Sequence, residues 1–254
     1  MARGKLPPGL TADDYEISAT VRDLPGLERV LEEVRRRRPE RDSRRLLDLG
    51  CGIGGLTLYI AQQLGAKDAI GVDVDESRLR RAADRGVRTI NADLNTDTLP
   101  VEDASIDLVV SFGAFEHLVW YDTAVSEASR VLANGGHFLL AMPNLGSYVN
   151  RVALLLGYQP REVEVSKVVS AGLMSSYHRA PSRGEPLGHV HAATLRCMKQ
   201  LLGHFRLRTV AISGSSPDFG SRTLRTLDRI FGRFPSLSRR FIILAEKQGS
   251  HQGG

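Results

Sequence analysis

The chain predicts a doubly wound α/β sheet with helices on both faces, and three observations carry that expectation. Short buried runs alternate with amphipathic helical stretches, strand then helix repeatedly, which is the order of a parallel sheet rather than of a bundle or sandwich. One such unit, LLDLGCGIGGLTLYIA over residues 46–61, passes from strand to helix through a glycine-rich turn. Three successive strands, moreover, end in a carboxylate: Asp48, Asp73 and Asp93.

In the first unit Leu46 and Leu47 make a short buried strand that Asp48 closes, and Gly50, Cys51 and Gly52 open the turn. Glycines serve where the backbone takes positive φ or lies against a ligand. Gly50, Gly52 and Gly55 even satisfy G-x-G-x-x-G, a pattern that also fits a dinucleotide site. Asp48 separates the two readings. A carboxylate two residues before the first glycine repels a pyrophosphate and suits a ligand carrying an ammonium group. Cys51 sits where the turn needs a small side chain, so it reads as packing and not as a nucleophile.

The second unit, AIGVDVDESRLRRAA, predicts a strand over 69–72 ending in Asp73, then a helix opened by Asp75 or Ser77. Asp73 stands 23 residues after Gly50, close to the roughly 20-residue spacing at which a strand-end acid meets a ribose. A carboxylate there accepts from both ribose hydroxyls, which a neutral side chain cannot do in bidentate fashion. Val74 would flank the adenine. A helix N-cap is the other role for Asp73, but Asp75 and Ser77 are better placed for it. The third strand, over 87–91, leads directly to Asp93 and Leu94, and a turn role for Asp93 stays open.

Asp48-x-Gly50-x-Gly52-x-Gly54 resembles motif I of the class I S-adenosylmethionine (SAM) methyltransferases. LPVEDASIDLVVSFGAFEHL and RVLANGGHFLLAMPN are similar to that family too, with Asn134-Gly135-Gly136 where it usually has proline-glycine-glycine. The resemblance implies a Rossmann-like, mostly parallel seven-stranded sheet closed by an antiparallel hairpin, with SAM as cofactor and S-adenosylhomocysteine as product. It implies that Asp93 accepts from the adenine amino group while Leu94 packs on the ring. Backbone carbonyls around Ser111 and Phe112 would complete the site for the methionine ammonium. A looser likeness continues through Pro143-Asn144, Leu156-Gly157-Tyr158-Gln159-Pro160 and Gly188-His189. That layout is similar to bacterial methyltransferases of surface-polysaccharide or secondary-metabolite pathways. The likeness covers roughly residues 44–205.

One methyltransferase domain is expected over residues 1–254. Its parts are a helical segment (10–40), a SAM-binding core (44–143), a cap over the acceptor (144–190), and a helix with closing strands (191–247). The first segment carries Leu24, Leu27, Val30, Leu31 and Val34 at helical spacing and ends in four arginines at 35–38, a solvated helix end that suits the dipole. A helix is expected over 121–132, and Asn134-Gly135-Gly136 stop it before a fifth strand over 137–142. In the cap, Val149, Val152, Leu155 and Leu156 predict the apolar face of a helix that turns at Gly157, and the glycine- and serine-rich remainder predicts a loop. Strands over 207–213 and 241–246 supply the closing hairpin.

Composition narrows the class. No apolar run is long enough to cross a bilayer and no leader pattern opens the chain, and two cysteines cannot form a disulfide framework or zinc site. A cytoplasmic protein is expected. Net charge is +5, but the basic residues are mostly arginine, as genomic base composition produces, and no nucleic-acid partner is expected. Residues 206–240 hold eight arginines interleaved with Leu224, Leu227, Ile230, Phe231 and Phe234. A solvated face over a buried leucine stripe explains them best, with weak membrane-surface association as the other reading. The chain is expected as a monomer or homodimer.

A methyl on a sulfonium is already activated, so transfer needs alignment, with a base only for a nucleophile of high pKa. His117, in the loop after strand four, is the expected base; His178, His189 and His191 are the others. Glu116-His117 fits the end of an E-x-x-E-H metal pattern, but Gly113 stands where its first glutamate belongs, so no metal is expected. Tyr148, Arg151, Tyr158, His178 and His189 are candidates to line the acceptor pocket, and packing roles fit the first three equally. The leading reading is methylation of a hydroxyl on a sugar, glycolipid precursor or natural product. N-methylation of a small amine and a SAM-binding regulatory protein without transfer are the alternatives. A nicotinamide-linked oxidoreductase is disfavoured by Asp48 and by the lack of a second catalytic domain.

Overall fold

The computed structural model describes residues 10, 11, 13, 14, 24–37, 44–174, 188–215 and 222–249. Seven strands lie in the order β3-β2-β1-β4-β5-β7-β6. They are β1 (Arg44–Leu49), β2 (Ala66–Asp73), β3 (Arg88–Asn91), β4 (Ile106–Phe112), β5 (Leu132–Pro143), β6 (Leu207–Ser215) and β7 (Arg240–Lys247). The pairs from β3 through β5 are parallel, and β7 runs antiparallel between β5 and β6. The expected seven-stranded sheet with a closing hairpin is therefore what the chain forms.

Helices cover both faces because strand residues alternate sides. Leu46, Leu108, Val110, Leu139 and Ile242 face one core with α1 (Leu24–Arg37) and α2 (Gly55–Leu64). Leu47, Val109, Phe138, Leu140 and Ile243 face the other, with α4 (Asp122–Val131) and α6 (Leu195–His204). On α1 the predicted stripe is real: Leu27, Val30, Leu31 and Val34 are buried, each contributing roughly 1.5–3 kcal/mol. Between β2 and β3 runs α3 (Glu76–Asp84), capped by Asp75, whose side chain accepts from Ser77 N and Arg78 N. Asp73 is thus free of the capping role.

Two expectations are corrected. β5 begins at Leu132, not 137, because β4 pairs twice with it: Ile106 opposes Leu132, Leu108 opposes His137, and residues 133–136 form the excursion between. The stop at Asn134-Gly135-Gly136 is a bulge inside a strand. In the segment expected as a cap, α5 (Tyr148–Leu155) buries Val149, Asn150 and Ala153, while Leu155 is 85% exposed and Val152 and Leu156 also face outward. Polar anchors set this rotation: Asn150 Nδ2 donates to Asn144 O at 3.1 Å and Tyr148 Oη to Asp228 Oδ1 at 2.8 Å. The described residues of 206–240 fall into β6, α7 (Arg222–Phe231) and a turn. Arg239 there pairs with buried Asp228 at 2.6 Å. Among the described residues no helix is long and apolar enough to cross a membrane.

Candidate active site

The strand order reverses between β1 and β4, and a parallel sheet binds its ligands outside the carboxyl ends of the strands at such a point. The glycine turn sits there. Gly50 N and Cys51 N both donate to Val72 O, at 2.8 and 2.9 Å, which closes the turn onto β2. At Gly52 φ is +54°, and a Cβ built there meets nothing within 4 Å, so the backbone offers an open surface to whatever occupies the cleft. The cleft has a volume of ≈ 670 Å³.

Asp48 on β1, Asp73 at the end of β2 and Asp93, two residues past the end of β3, come together in its lining, and the three strands are neighbours in the sheet. Asp48 is 3% exposed; Oδ2 accepts from Thr57 Oγ1 at 2.5 Å, and Oδ1 has no partner among the described residues. Burial pushes its carboxyl up to about 7, against the lowering effect of the Thr57 bond and with a smaller push from Asp73. A buried acid with one bare oxygen is short of a donor, and a cationic one satisfies both needs. Asp73 accepts from Gly52 N at 2.9 Å on one oxygen and from Asp75 N at 3.0 Å on the other. An ionised carboxylate has about four acceptor positions, so each oxygen keeps a place for a hydroxyl donor. Asp93 Oδ1 accepts from Asn95 N and Nδ2, at 2.9 and 2.7 Å, and Oδ2 has no partner among the described residues.

Val74 and Leu94 line the cleft beside these acids, and so does Cys51, whose thiol burial raises well above its usual range. Ser111 does not. Its side chain is fully buried and donates to Leu49 O at 2.7 Å, tying β4 to β1, while Phe112, Gly113 and Ala114 form the wall.

His117 lies in a short 3-10 turn, Phe115–His117, and also lines the cleft. Its Nδ1 is 2.9 Å from Gly188 O, and its ring stands edge-on to His189 with centres 5.1 Å apart. The main chain at 188–190 is held in place by Glu164 Oε2, which accepts from Gly188 N at 2.7 Å, and by Glu116 O, which accepts from Val190 N at 2.8 Å. The other acceptor candidates part company here. Tyr148 stacks on Phe231 with ring centres 4.5 Å apart and bonds to Asp228; Arg151 Nε donates to Gly146 O at 2.8 Å; Tyr158 lies half-exposed past the end of α5. None of the three lines this cleft, and neither does His189. His178 lies outside the described residues.

A bare acceptor on a buried carboxylate, a second carboxylate with places for two hydroxyls, and an open glycine backbone fit an adenosyl amino acid. Residues 47–140 match the family model described as a methyltransferase domain. These residues belong to the class I SAM-dependent methyltransferases. SAM is the cofactor of that family. Over 107 residues the chain is 36% identical to a malonyl-[acyl-carrier protein] O-methyltransferase of Geobacter sulfurreducens, covering 41% of this chain and 40% of that one. Over 107 residues it is 34% identical to the chloroplastic tocopherol O-methyltransferase of Arabidopsis thaliana, covering 40% and 30%. The chain thus spans well under half the length of these relatives. A SAM-dependent methyltransferase of Mesorhizobium loti has the same fold, with a TM-score of 0.57 at 18% identity over 91% of this chain and 99% of that one.

Sequence reasoning missed three lining or supporting residues of this methyltransferase core. Thr57 reads as an ordinary helix residue, and nothing local marks its bond to Asp48. Asn95 bridges two loops, accepting from Val119 N at 2.7 Å. Asp14 had a signal: Thr11-x-x-Asp14 has capping-box spacing, and Thr11 N donates to Asp14 Oδ2 at 2.8 Å.

Proposed function

We propose that the chain transfers a methyl group from SAM to a hydroxyl of a small molecule, of the sugar, glycolipid-precursor or natural-product kind. Asp48 Oδ1 receives the ammonium of the cofactor, Asp73 both ribose hydroxyls and Asp93 the adenine amino group, with Val74 and Leu94 against the ring. SAM bound there supplies a methyl already activated on a sulfonium.

The observation that carries the reading is the 2.9 Å contact between His117 Nδ1 and Gly188 O. A carbonyl only accepts, so the contact with Gly188 O puts the hydrogen on Nδ1 and leaves Nε2 with a basic lone pair. His117 lines the same cleft as the three acids, so a base and a cofactor site share one space. Nε2 takes the proton of the acceptor hydroxyl as the new bond forms. The segment 144–190 supplies Gly188 and His189 as a cover on the acceptor side.

Calorimetry on the whole chain tests the reading. SAM and S-adenosylhomocysteine bind, and Asp73→Ala weakens both by about 10- to 150-fold, as loss of charged hydrogen bonds at roughly 1.5–3 kcal/mol requires. Tight NAD binding with no response to either sulfur ligand overturns it.

A further inference from the structure

Two helices at one end of the sheet carry large apolar side chains into solvent. On α5, Val152, Leu154, Leu155 and Leu156 are exposed, and so are Ile230 of α7 and Phe234 in the turn after it. Single apolar residues on a surface are ordinary, but a gathered set marks a place of interaction. Tyr148, Arg151, Val152 and Leu155 follow the i, i+3, i+4, i+7 spacing of one helix stripe. Tyr148 opens that stripe, stacked on Phe231 with ring centres 4.5 Å apart and donating to Asp228 Oδ1 at 2.8 Å. The exposed stripe of α5 therefore begins where α5 meets α7, and the two helices make one face.

Both helices belong to the end of the sheet that carries the cofactor cleft. α5 follows the carboxyl end of β5, and α7 with its turn joins the carboxyl end of β6 to the start of β7. There Arg240 opposes Pro143 on one side and Ser215 on the other. Charge sets this face apart. Residues 144–161 contain no acid, and residues 219–240 contain one, Asp228. That acid is buried and held by Tyr148 and Arg239. Arg151, Arg229 and Arg233, by contrast, are exposed among the apolar residues.

That combination selects among occupants. A second copy pairing through this face about a two-fold axis would set these guanidiniums against their own copies, which like charge opposes. A neutral apolar partner would leave the guanidiniums without counter-charge. A bilayer containing anionic lipid meets both needs. Its acyl region receives the aliphatic and aromatic side chains, and its phosphates receive guanidiniums whose long stems lie along the apolar layer. We infer that α5 and α7 form a docking face for an anionic membrane surface. Docking of this kind is independent of the chemistry in the cleft.

Cosedimentation of the full chain with lipid vesicles is the test. Phosphatidylcholine vesicles with about 30% phosphatidylglycerol bind the chain at least about tenfold more tightly than phosphatidylcholine alone, and about 0.5 M salt weakens the binding. Arg229→Gln with Arg233→Gln lowers affinity about tenfold or more, at about fivefold per arginine near the surface. Leu155→Gln with Ile230→Gln also lowers it about tenfold or more, and the salt dependence stays. Arg36→Gln with Arg80→Gln removes the same charge from exposed positions on α1 and α3 and leaves binding within about twofold. Should the Leu155 and Ile230 pair fail to fold, the Arg229 and Arg233 pair decides alone against that control. No binding to anionic vesicles, equal binding to both compositions, or an equal loss in the control pair each overturns the docking face. So does unchanged affinity in the Leu155 and Ile230 pair, which would leave charge attraction alone. A dimer in light scattering that the same pair breaks, with vesicles unbound, would make the face a contact between copies and overturn it too.

Discussion

Arg85 clamps Asp14 with both terminal nitrogens, Nη1 to Oδ1 and Nη2 to Oδ2, each at 3.0 Å. The pair holds the piece of chain around Thr11 and Asp14 against the glycine turn so closely that a Cβ on Gly55 would lie 1.9 Å from Asp14 Oδ1. Asp14 lines the cleft as a result, so a residue far before β1 walls the cofactor site.

Arg85→Ala leaves Asp14 buried without its cation and lowers stability by about 1.5–3 kcal/mol at pH 7, seen in urea unfolding. Burial alone would raise the Asp14 carboxyl, but bonds from Arg85 and Thr11 together outweigh it and hold the group below 3.8. A depressed carboxyl stabilises the fold fully above its unfolded value, and that contribution fades as pH falls through the folded one. The gap between wild type and variant therefore shrinks below pH 3.8. A gap of constant size across that range would show that Arg85 acts through packing alone.

What could be read in advance divides along a physical line. Asp48, Asp73 and Asp93 were legible because strand ends and glycine turns are local patterns, and sheet topology then forces their residues together. The partners of Tyr148 and Arg151 were not, because a polar residue on a short helix can face a cleft or a neighbouring helix. Asp228, 80 residues later, decided the case for Tyr148. The face of α5 was misread for the same reason: Asn144 and Asp228 turn the helix by hydrogen bonds, and the leucine stripe follows passively into solvent. Thr57 and Glu116 matter through tertiary partners, Asp48 and Arg240, that no spacing rule connects.

Tyr148→Phe checks that division. It removes a bond to a buried carboxylate and lowers stability by about 1–2 kcal/mol. Methyl-transfer turnover and the KM for the acceptor stay within twofold of wild type. A rise in KM with unchanged stability would return Tyr148 to the acceptor pocket.

Asp48 gives cofactor binding a distinctive pH dependence. With its carboxyl raised to about 7 in the free protein, the group is largely protonated below that pH and must ionise to receive an ammonium. A raised carboxyl destabilises the free fold as pH climbs from 3.8 toward 7, and a bound cation relieves that cost. S-adenosylhomocysteine affinity should rise with pH between about 5.5 and 7, approaching tenfold per unit at the acid end, until the ligand's own α-amino group titrates near 8. Titrations in buffers of different ionisation enthalpy should show proton release on binding at pH 6.5. Asp48→Asn should bind more weakly and lose the slope; a slope that survives in Asp48→Asn would place the titrating group elsewhere.

His117 carries the most exposed claim. Its Nδ1 is anchored on Gly188 O, so a change at the ring removes the base and the contact that joins the β4 loop to the 188–190 segment. His117→Ala should lower turnover by about 100-fold or more, the usual scale for a general base, with cofactor affinity nearly unchanged. His117→Asn separates the two roles, because its amide can still donate toward Gly188 while offering no basic nitrogen. If Asn restores the acceptor KM but not the turnover, base catalysis is the role of the imidazole. Added imidazole should then rescue His117→Ala in proportion to its neutral fraction, rising with pH through 7. Turnover that stays normal in both variants would mean that alignment alone drives transfer, and His117 would be left as the contact between the β4 loop and residues 188–190.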